Sequence, residues 1–284
     1  MTASVAAPTH WHCGRFALSL GRPLVMGVLN LTPDSFSDGG LHADPASALR
    51  AAARMVDEGA DIIDIGAESS RPGAAPVSPQ AEWARLEPVI RGLHGIDRAL
   101  SVDTRRPGVM RRALAAGIDI VNDIEAFADP ASVDALAASR AGAVLMHMQG
   151  QPQTMQQAPV YRDVVAEVRQ FLRERSENLI KRGIDANRIC VDPGFGFGKT
   201  LEHNLALLAR LEALTELGLP VLAGLSRKSM IGLLTGRPPG ERLAGSVAAA
   251  LVAVAHGAAI VRVHDVAATV DALAVWNAVR VARA

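Results

Sequence analysis

The chain has 284 residues, about half of them hydrophobic, and its 29 Lys plus Arg are matched by 29 Asp plus Glu. Zero formal charge without a basic tail or stripe argues against a nucleic-acid partner, and the lack of a polybasic segment argues against a membrane surface. Two cysteines, Cys13 and Cys190, are too few for a disulfide framework or a zinc site of their own. They read as reduced thiols in a cytoplasmic protein, and Met1 to His12 shows no signal-peptide pattern.

Residues 1–22 read as an N-terminal extension, a loop or small hairpin capping one end of the main fold. From residue 23 to 284, eight short apolar runs recur: Leu24–Leu29, Ile62–Ile65, Ala99–Val102, Ile118–Val121, Ala143–Met146, Arg188–Val191, Pro220–Ala223 and Ala259–Val263. Helix signals fall between most of them. Asp44-Pro45 and Asp129-Pro130 place a capping carboxylate before a proline suited to a first turn, and Gly59 closes the first of these helices. Pro107 opens another that ends near Gly117. A long helix covers roughly Tyr161–Arg182, and Asp265 is placed to cap Val266–Arg280. The apolar stretch Ala244–Val263 contains His256, Gly257 and Arg262 and reads as a helix running into the last strand. Apolar runs separated by helices are parallel strands buried on both faces. Eight such units predict a single-domain α/β fold, a (β/α)8 TIM barrel with its site at the C-terminal ends of the strands.

The runs stop at or near polar residues: Asn30, Glu68 with Ser69, Asp103, Asn122 with Asp123, His147, Asp192, Ser226 to Lys228, and His264 with Asp265. These are expected to converge on one mouth. Two connections, Thr32–Asp44 and Ser69–Pro79, are long and rich in Gly, Pro and Ser, which suits lids. The run Asp192-Pro193-Gly194-Phe195-Gly196-Phe197-Gly198-Lys199-Thr200 looks like a phosphate loop, but Pro193 stands where its first glycine is required. Its glycines are expected to let the backbone approach a ligand, and its phenylalanines to offer flat faces. Asp103, Asn122 and Asp192 can bind either a cation or a flat heterocycle whose N–H pairs match a carboxylate. Arg71, Lys228, Arg262 and His264 form a basic side, and Ser226–Gly232 opens a short helix near the last two strands, where barrels often bind phosphate.

Taken in order, Asn30–Gly40, Asp64–Gly73, Ser101–Thr104, Asn122–Ile124, Met146–Gly150, Asp192–Lys199, Ser226–Gly232 and Arg262–Val266 resemble the signature blocks of the dihydropteroate synthase family. The resemblance covers about residues 22–281. It implies a dihydropterin methyl diphosphate and p-aminobenzoate as substrates, dihydropteroate and pyrophosphate as products, Mg²⁺ as cofactor, and a homodimer through barrel helices such as Gly245–Ala255. Asn30 matches the metal ligand. Asp103, Asn122, Asp192 and Lys228 match the pterin set, with Met146 among the substrate-binding residues. Ser70, Arg71, Arg262 and His264 match positions around the diphosphate, and Phe36, Pro72, Phe197 and Ser229 the p-aminobenzoate subsite. The resemblance implies that Asp103, Lys228, Arg262 and His264 form the catalytic group. Ser70 stands where many members carry Thr, and Ala67 where Gly is frequent. The delocalised amine of p-aminobenzoate is a weak nucleophile, so early, SN1-like loss of pyrophosphate is the expected route. The alternatives are a pterin-binding methyltransferase that serves a corrinoid, or a paralogue that binds pterin without turnover.

Overall fold

The computed structural model describes residues 8–32, 44–69 and 76–282. Strands β1 (His10–Cys13) and β2 (Phe16–Ser19) pair antiparallel as a hairpin ahead of the barrel. Then β3 (Leu24–Asn30), α1 (Pro45–Asp57), β4 (Ile62–Gly66), α2 (Pro79–Gly92), β5 (Ala99–Asp103), α3 (Pro107–Ala115), β6 (Ile120–Asp123), α4 (Pro130–Ala137), β7 (Gly142–Met146) and α5 (Val164–Lys181) alternate. The chain continues through β8 (Ile189–Asp192), α6 (Leu201–Ala209), α7 (Glu212–Thr215), β9 (Leu222–Ala223), α8 (Ser229–Thr235), α9 (Leu243–Ala255), β10 (Ile260–Val263) and α10 (Val266–Val281). Strands β3 to β10 form one parallel sheet in the order β8-β7-β6-β5-β4-β3-β10-β9. A parallel bridge between Val191 and Val221, with Val191 N–H donating to Pro220 O at 2.9 Å, brings its two edges together. The expected (β/α)8 barrel is what the chain forms.

Local chemistry explains most boundaries. The Asp44 carboxylate accepts from the N–H groups of Ala46 and Ser47, and Asp129 from that of Ala131, each ahead of a first-turn proline. The long helix starts at Val164 and not at Tyr161, because Asp163 is its cap and accepts from Val165 and Ala166. Asp265 precedes α10 as predicted but does not cap it with its side chain. Its carboxylate pairs instead with Arg227, an ion pair that outcompetes neutral N–H donors. Strand β9 is shorter than its apolar run, since Pro220 has no N–H to give a ladder.

Strand parity decides where each side chain goes. Met26, Ile62, Ala99, Ile120, Val144, Cys190, Leu222 and Ile260 form one cluster inside the barrel, closed below by Trp11 and Cys13 of the hairpin. Their sequence neighbours, such as Val25, Ile63, Leu100, Val121, Ala143, Val191 and Val261, join the larger core beneath the helices. The interior is therefore apolar toward the strand starts. Two residues further along it turns polar on β4, β5, β6, β8 and β10, with Asp64, Ser101, Asn122, Asp192 and Arg262, because period 2 carries these positions to the same face. Cys13 and Cys190, far apart in sequence, share this lower cluster and are free thiols. The Trp11 indole donates to Arg188 O at 2.9 Å, and Arg15 pairs with the buried Asp119, which also accepts from Leu100 N–H. No described helix is long and apolar enough to cross a membrane.

Candidate active site

Climbing each strand from the apolar layer, the interior side chains are Asp64 on β4, Ser101 and Asp103 on β5, Asn122 on β6, Met146 on β7, Asp192 on β8 and Arg262 on β10. Arg262 organises them. Its Nε donates to Asp64 Oδ2 at 2.6 Å and its Nη2 to Asp103 Oδ2 at 2.9 Å. Asn122 Nδ2 donates to the same Asp64 oxygen at 3.3 Å. The Asp64 side chain is fully buried, and its Oδ1 has no hydrogen-bond partner among the described residues. Burial pushes the Asp103 carboxyl up to about 7; Arg262 opposes this and the neighbouring Asp64 and Asp123 add to it. Asn30 ends β3 beside this cluster: a Cβ added at Gly66 would lie 3.8 Å from both Asn30 Oδ1 and Asp103 Oδ2.

Opposite stands Asp192, paired in register with Met146 and buried. Its Oδ1 accepts from Gly194 N–H at 2.7 Å, while burial raises its carboxyl against the pull of Lys228, Arg262 and Lys199. Lys228, the residue just before α8, donates to Phe195 O and lies 4.7 Å from the centroid of the Phe197 ring. Burial lowers its ammonium to about 8, with Asp192 and Asp103 holding it up and Arg262 pressing it down. Carboxylates and cations thus share one lumen, Asp64 and Asp103 on the neighbouring strands β4 and β5, Arg262 on β10 and Lys228 just past β9. The sequence alone sets a basic side apart from Asp103, Asn122 and Asp192; the structure ties the two together, because Arg262 is long enough to cross from β10 to β4 and β5.

Not every polar strand end joins this lumen, contrary to expectation: parity turns Asp123 and His147 away, and Glu68, past the end of β4, is held by Arg106. Asp123, one residue past Asn122, faces outward and accepts from Glu125 and Phe127 N–H at 2.8 Å each. His147 packs edge-on against Phe171, under α5. Glu68 pairs with Arg106, which also binds the buried Glu82 and Val77 O. His264 lies against Ser226, whose hydroxyl is 3.1 Å from its Nδ1, and Ser229 is the first residue of α8. Phe36, Ser70, Arg71 and Pro72 lie outside the described residues.

The glycine run also departs from expectation. Gly194 and Gly198 have φ of +67° and +61°, and a Cβ on either would strike the backbone oxygen of His147 or Gln149, at 1.9 and 2.4 Å. The close approach is to the chain's own β7–α5 connection. Of the two phenylalanines, Phe195 is fully buried in the core and only Phe197 borders the site. Two buried ionisable residues in or beside the site escape a reading of the sequence. Asp64 hides inside an apolar run, but it stands two residues after Ile62, so the alternation points it inward. Lys199 closes a run that fails as a phosphate loop, and it is a buried charge.

Proteins of known activity are similar to this chain in sequence and fold. A family profile described as pterin binding enzyme matches residues 26–264. A dihydropteroate synthase of Neisseria meningitidis serogroup B is 54% identical over 275 residues, covering 94% of this chain and 96% of the relative. The crystal structure of Burkholderia cenocepacia dihydropteroate synthase complexed with 7,8-dihydropteroate superposes with a TM-score of 0.89 at 52% identity, covering 98% and 99% of the two chains. That of the Xanthomonas albilineans enzyme with 4-aminobenzoic acid gives 0.88 at 54%, covering 93% and 95%. A barrel whose lumen gathers Asp64, Asp103, Asn122, Asp192, Lys228 and Arg262, matched over nearly its whole length by these enzymes, belongs to the dihydropteroate synthase family, transferases of folate biosynthesis.

Proposed function

We propose that this chain joins (7,8-dihydropterin-6-yl)methyl diphosphate to p-aminobenzoate, releasing 7,8-dihydropteroate and pyrophosphate, with the C–O bond to the leaving group breaking ahead of C–N formation. The observation that carries this is the single lumen shared by three carboxylates, one carboxamide, Lys228 and Arg262. A pterin edge offers paired N–H donors, and a buried carboxylate is the acceptor that fits them best. Asp192 and the unsatisfied oxygen of Asp64 supply such acceptors, Asn122 can both donate and accept, and Lys228 donates to a ring carbonyl or nitrogen. The same carboxylates place negative charge beside the methylene carbon as positive charge develops there.

At the other end, pyrophosphate gains charge as it leaves. Arg262 uses two of its five N–H donors on Asp64 and Asp103, so the rest remain for phosphate oxygens. His264 lies at the end of the same strand. Asn30 offers one amide oxygen, and among the described residues no group of three His, Cys, Asp or Glu side chains makes a cage. That donor set fits Mg²⁺, which keeps waters and takes phosphate oxygens with one or two protein ligands. When bound, the ion would neutralise charge on the leaving group. Phe197 gives the amine an aromatic wall, with Ser229 at the start of α8 for its carboxylate; Phe36 and Pro72 enter this subsite only by the resemblance of their sequence blocks.

A homodimer is part of this reading. Large apolar side chains stand exposed on α8 (Leu233, Leu234), α9 (Leu243, Val252) and α10 (Val275, Val279), three helices in succession. The two free thiols suit the cytoplasm.

The test monitors pyrophosphate and dihydropteroate together. Both should form only with the two substrates and Mg²⁺ present. With ¹⁸O in the bridging position of the pterin diphosphate, the label should scramble into non-bridging oxygens without p-aminobenzoate. Turnover with no scrambling would rule out early bond breaking.

A further inference from the structure

Behind the β8 wall of the lumen sits a buried charge that the proposed chemistry does not use. Lys199 is 2% exposed. Its Nζ lies 2.9 Å from His147 Nδ1, donates to Phe197 O at 2.9 Å and Gly194 O at 3.0 Å, and reaches His147 O at 3.4 Å. An ammonium has three N–H donors and no acceptor, so four acceptors from two connections share it. Those connections are the end of β7 and the β8–α6 loop. An ammonium taken out of water is costly even when saturated in this way, and burial lowers that of Lys199 to about 7, with Asp192 holding it up and Lys228 pressing it down; the neutral amine keeps two of the three N–H donors.

The carbonyls it holds flank the working parts of the site. Gly194 N–H binds Asp192, Phe195 O receives Lys228, and the Phe197 ring lies under the Lys228 ammonium. The outer part of the loop has other braces: Tyr161 Oη donates to Gly198 O at 2.8 Å, and Gly196 N–H donates to Asn204 Oδ1 at 2.7 Å. The charged and titratable groups facing Lys199 are His147 from β7, Asp192 from β8 and Lys228 from the segment before α8. Burial, with Lys199 adding, drops the His147 imidazole to about 3, so at neutral pH its ring is uncharged and its Nδ1 can accept.

We propose that Lys199 is a positioning residue for the transfer: its ammonium clamps the β8–α6 loop to the end of β7, so that Asp192, the Phe195 carbonyl and the Phe197 ring form one fixed wall for both substrates. This rests on the assignment of Asp192 and Phe197 to the substrates under the proposed function. Lys199 touches neither substrate; it acts through the backbone that carries the residues which do.

The test compares Lys199→Met, which keeps the stem and loses every donor, with Lys199→Gln, which keeps an N–H donor. Binding of the pterin diphosphate and KM for p-aminobenzoate are measured below the onset of unfolding, which circular dichroism defines for each variant. Lys199→Met should weaken pterin binding and raise KM for p-aminobenzoate, each by about tenfold, since small misplacements of reacting groups are costly. Lys199→Gln should recover part of both. A lower Tm with unchanged binding and KM in the folded protein would overturn the clamp and leave Lys199 a structural filler. If Lys199→Met does not fold, His147→Phe keeps the ring against Phe171 but removes one acceptor, and both constants should shift in the same direction; unchanged constants there would also overturn the proposal. Wild-type protein separates the two readings. No dihydropteroate from wild type refutes the reaction, whereas normal wild-type turnover with unaltered variants refutes the clamp alone.

Discussion

At the residue scale, the site is governed by which groups share burial. Asp103 and Asp64 face one guanidinium, and burial beside a second carboxylate makes ionising Asp103 costlier than in water. Asp103 therefore binds a proton more tightly in the native state than in the unfolded chain, with burial as the main cause. Its contribution to stability is accordingly present in full below the ordinary carboxylate range and is lost as pH rises through about 7. In Asp103→Asn this loss disappears. The variant should gain stability relative to wild type between about pH 5 and about pH 8, read from urea unfolding at the two values, while turnover falls by about 10²-fold. A constant stability difference across that window would show that Asp103 ionises normally. Asn30, Asp103, Asn122 and Asp192 were readable because each closes an apolar run. Asp64 was legible only through parity, and its pairing with Arg262, 198 residues away, was not legible at all.

At the element scale, caps and apolar runs fixed most boundaries, and competition between partners explains the exceptions. Asp163 claimed the start of α5, and Arg227 claimed the carboxylate of Asp265. The hairpin of β1 and β2 shows how a short segment acts at a distance from the chemistry. Trp11 is fully buried and plugs the barrel end opposite the site. Trp11→Ala should cost about 3–5 kcal/mol of stability by chemical denaturation. KM values in the molecules that remain folded should not move; if they do, the bottom layer transmits strain to the mouth.

At the scale of the whole molecule, the apolar side chains left exposed on α8, α9 and α10 set the expectation of assembly. Val275 is 67% exposed and Val279 51%, on the face of α10 away from its own core. A charge placed there has no cost in a monomer and a large one in a buried interface. Val275→Arg should therefore turn a dimer into monomers in sedimentation equilibrium, with folding intact by circular dichroism. Wild type sedimenting as a monomer would discard the dimer.

The sequence by itself determined the eight barrel strands, their order between helices and the polar residues that close many of them, because hydrophobic periodicity and capping are local and act within a few residues. The tertiary structure decided which polar residues meet. Barrel closure sets strand parity against the lumen, so Asn122 turns in while its neighbour Asp123 turns out, Arg262 crosses to Asp64 and Asp103, and Lys199 is drawn behind the wall and not into the cup. Those pairings join segments tens to hundreds of residues apart, and only the closed sheet brings them within hydrogen-bond range.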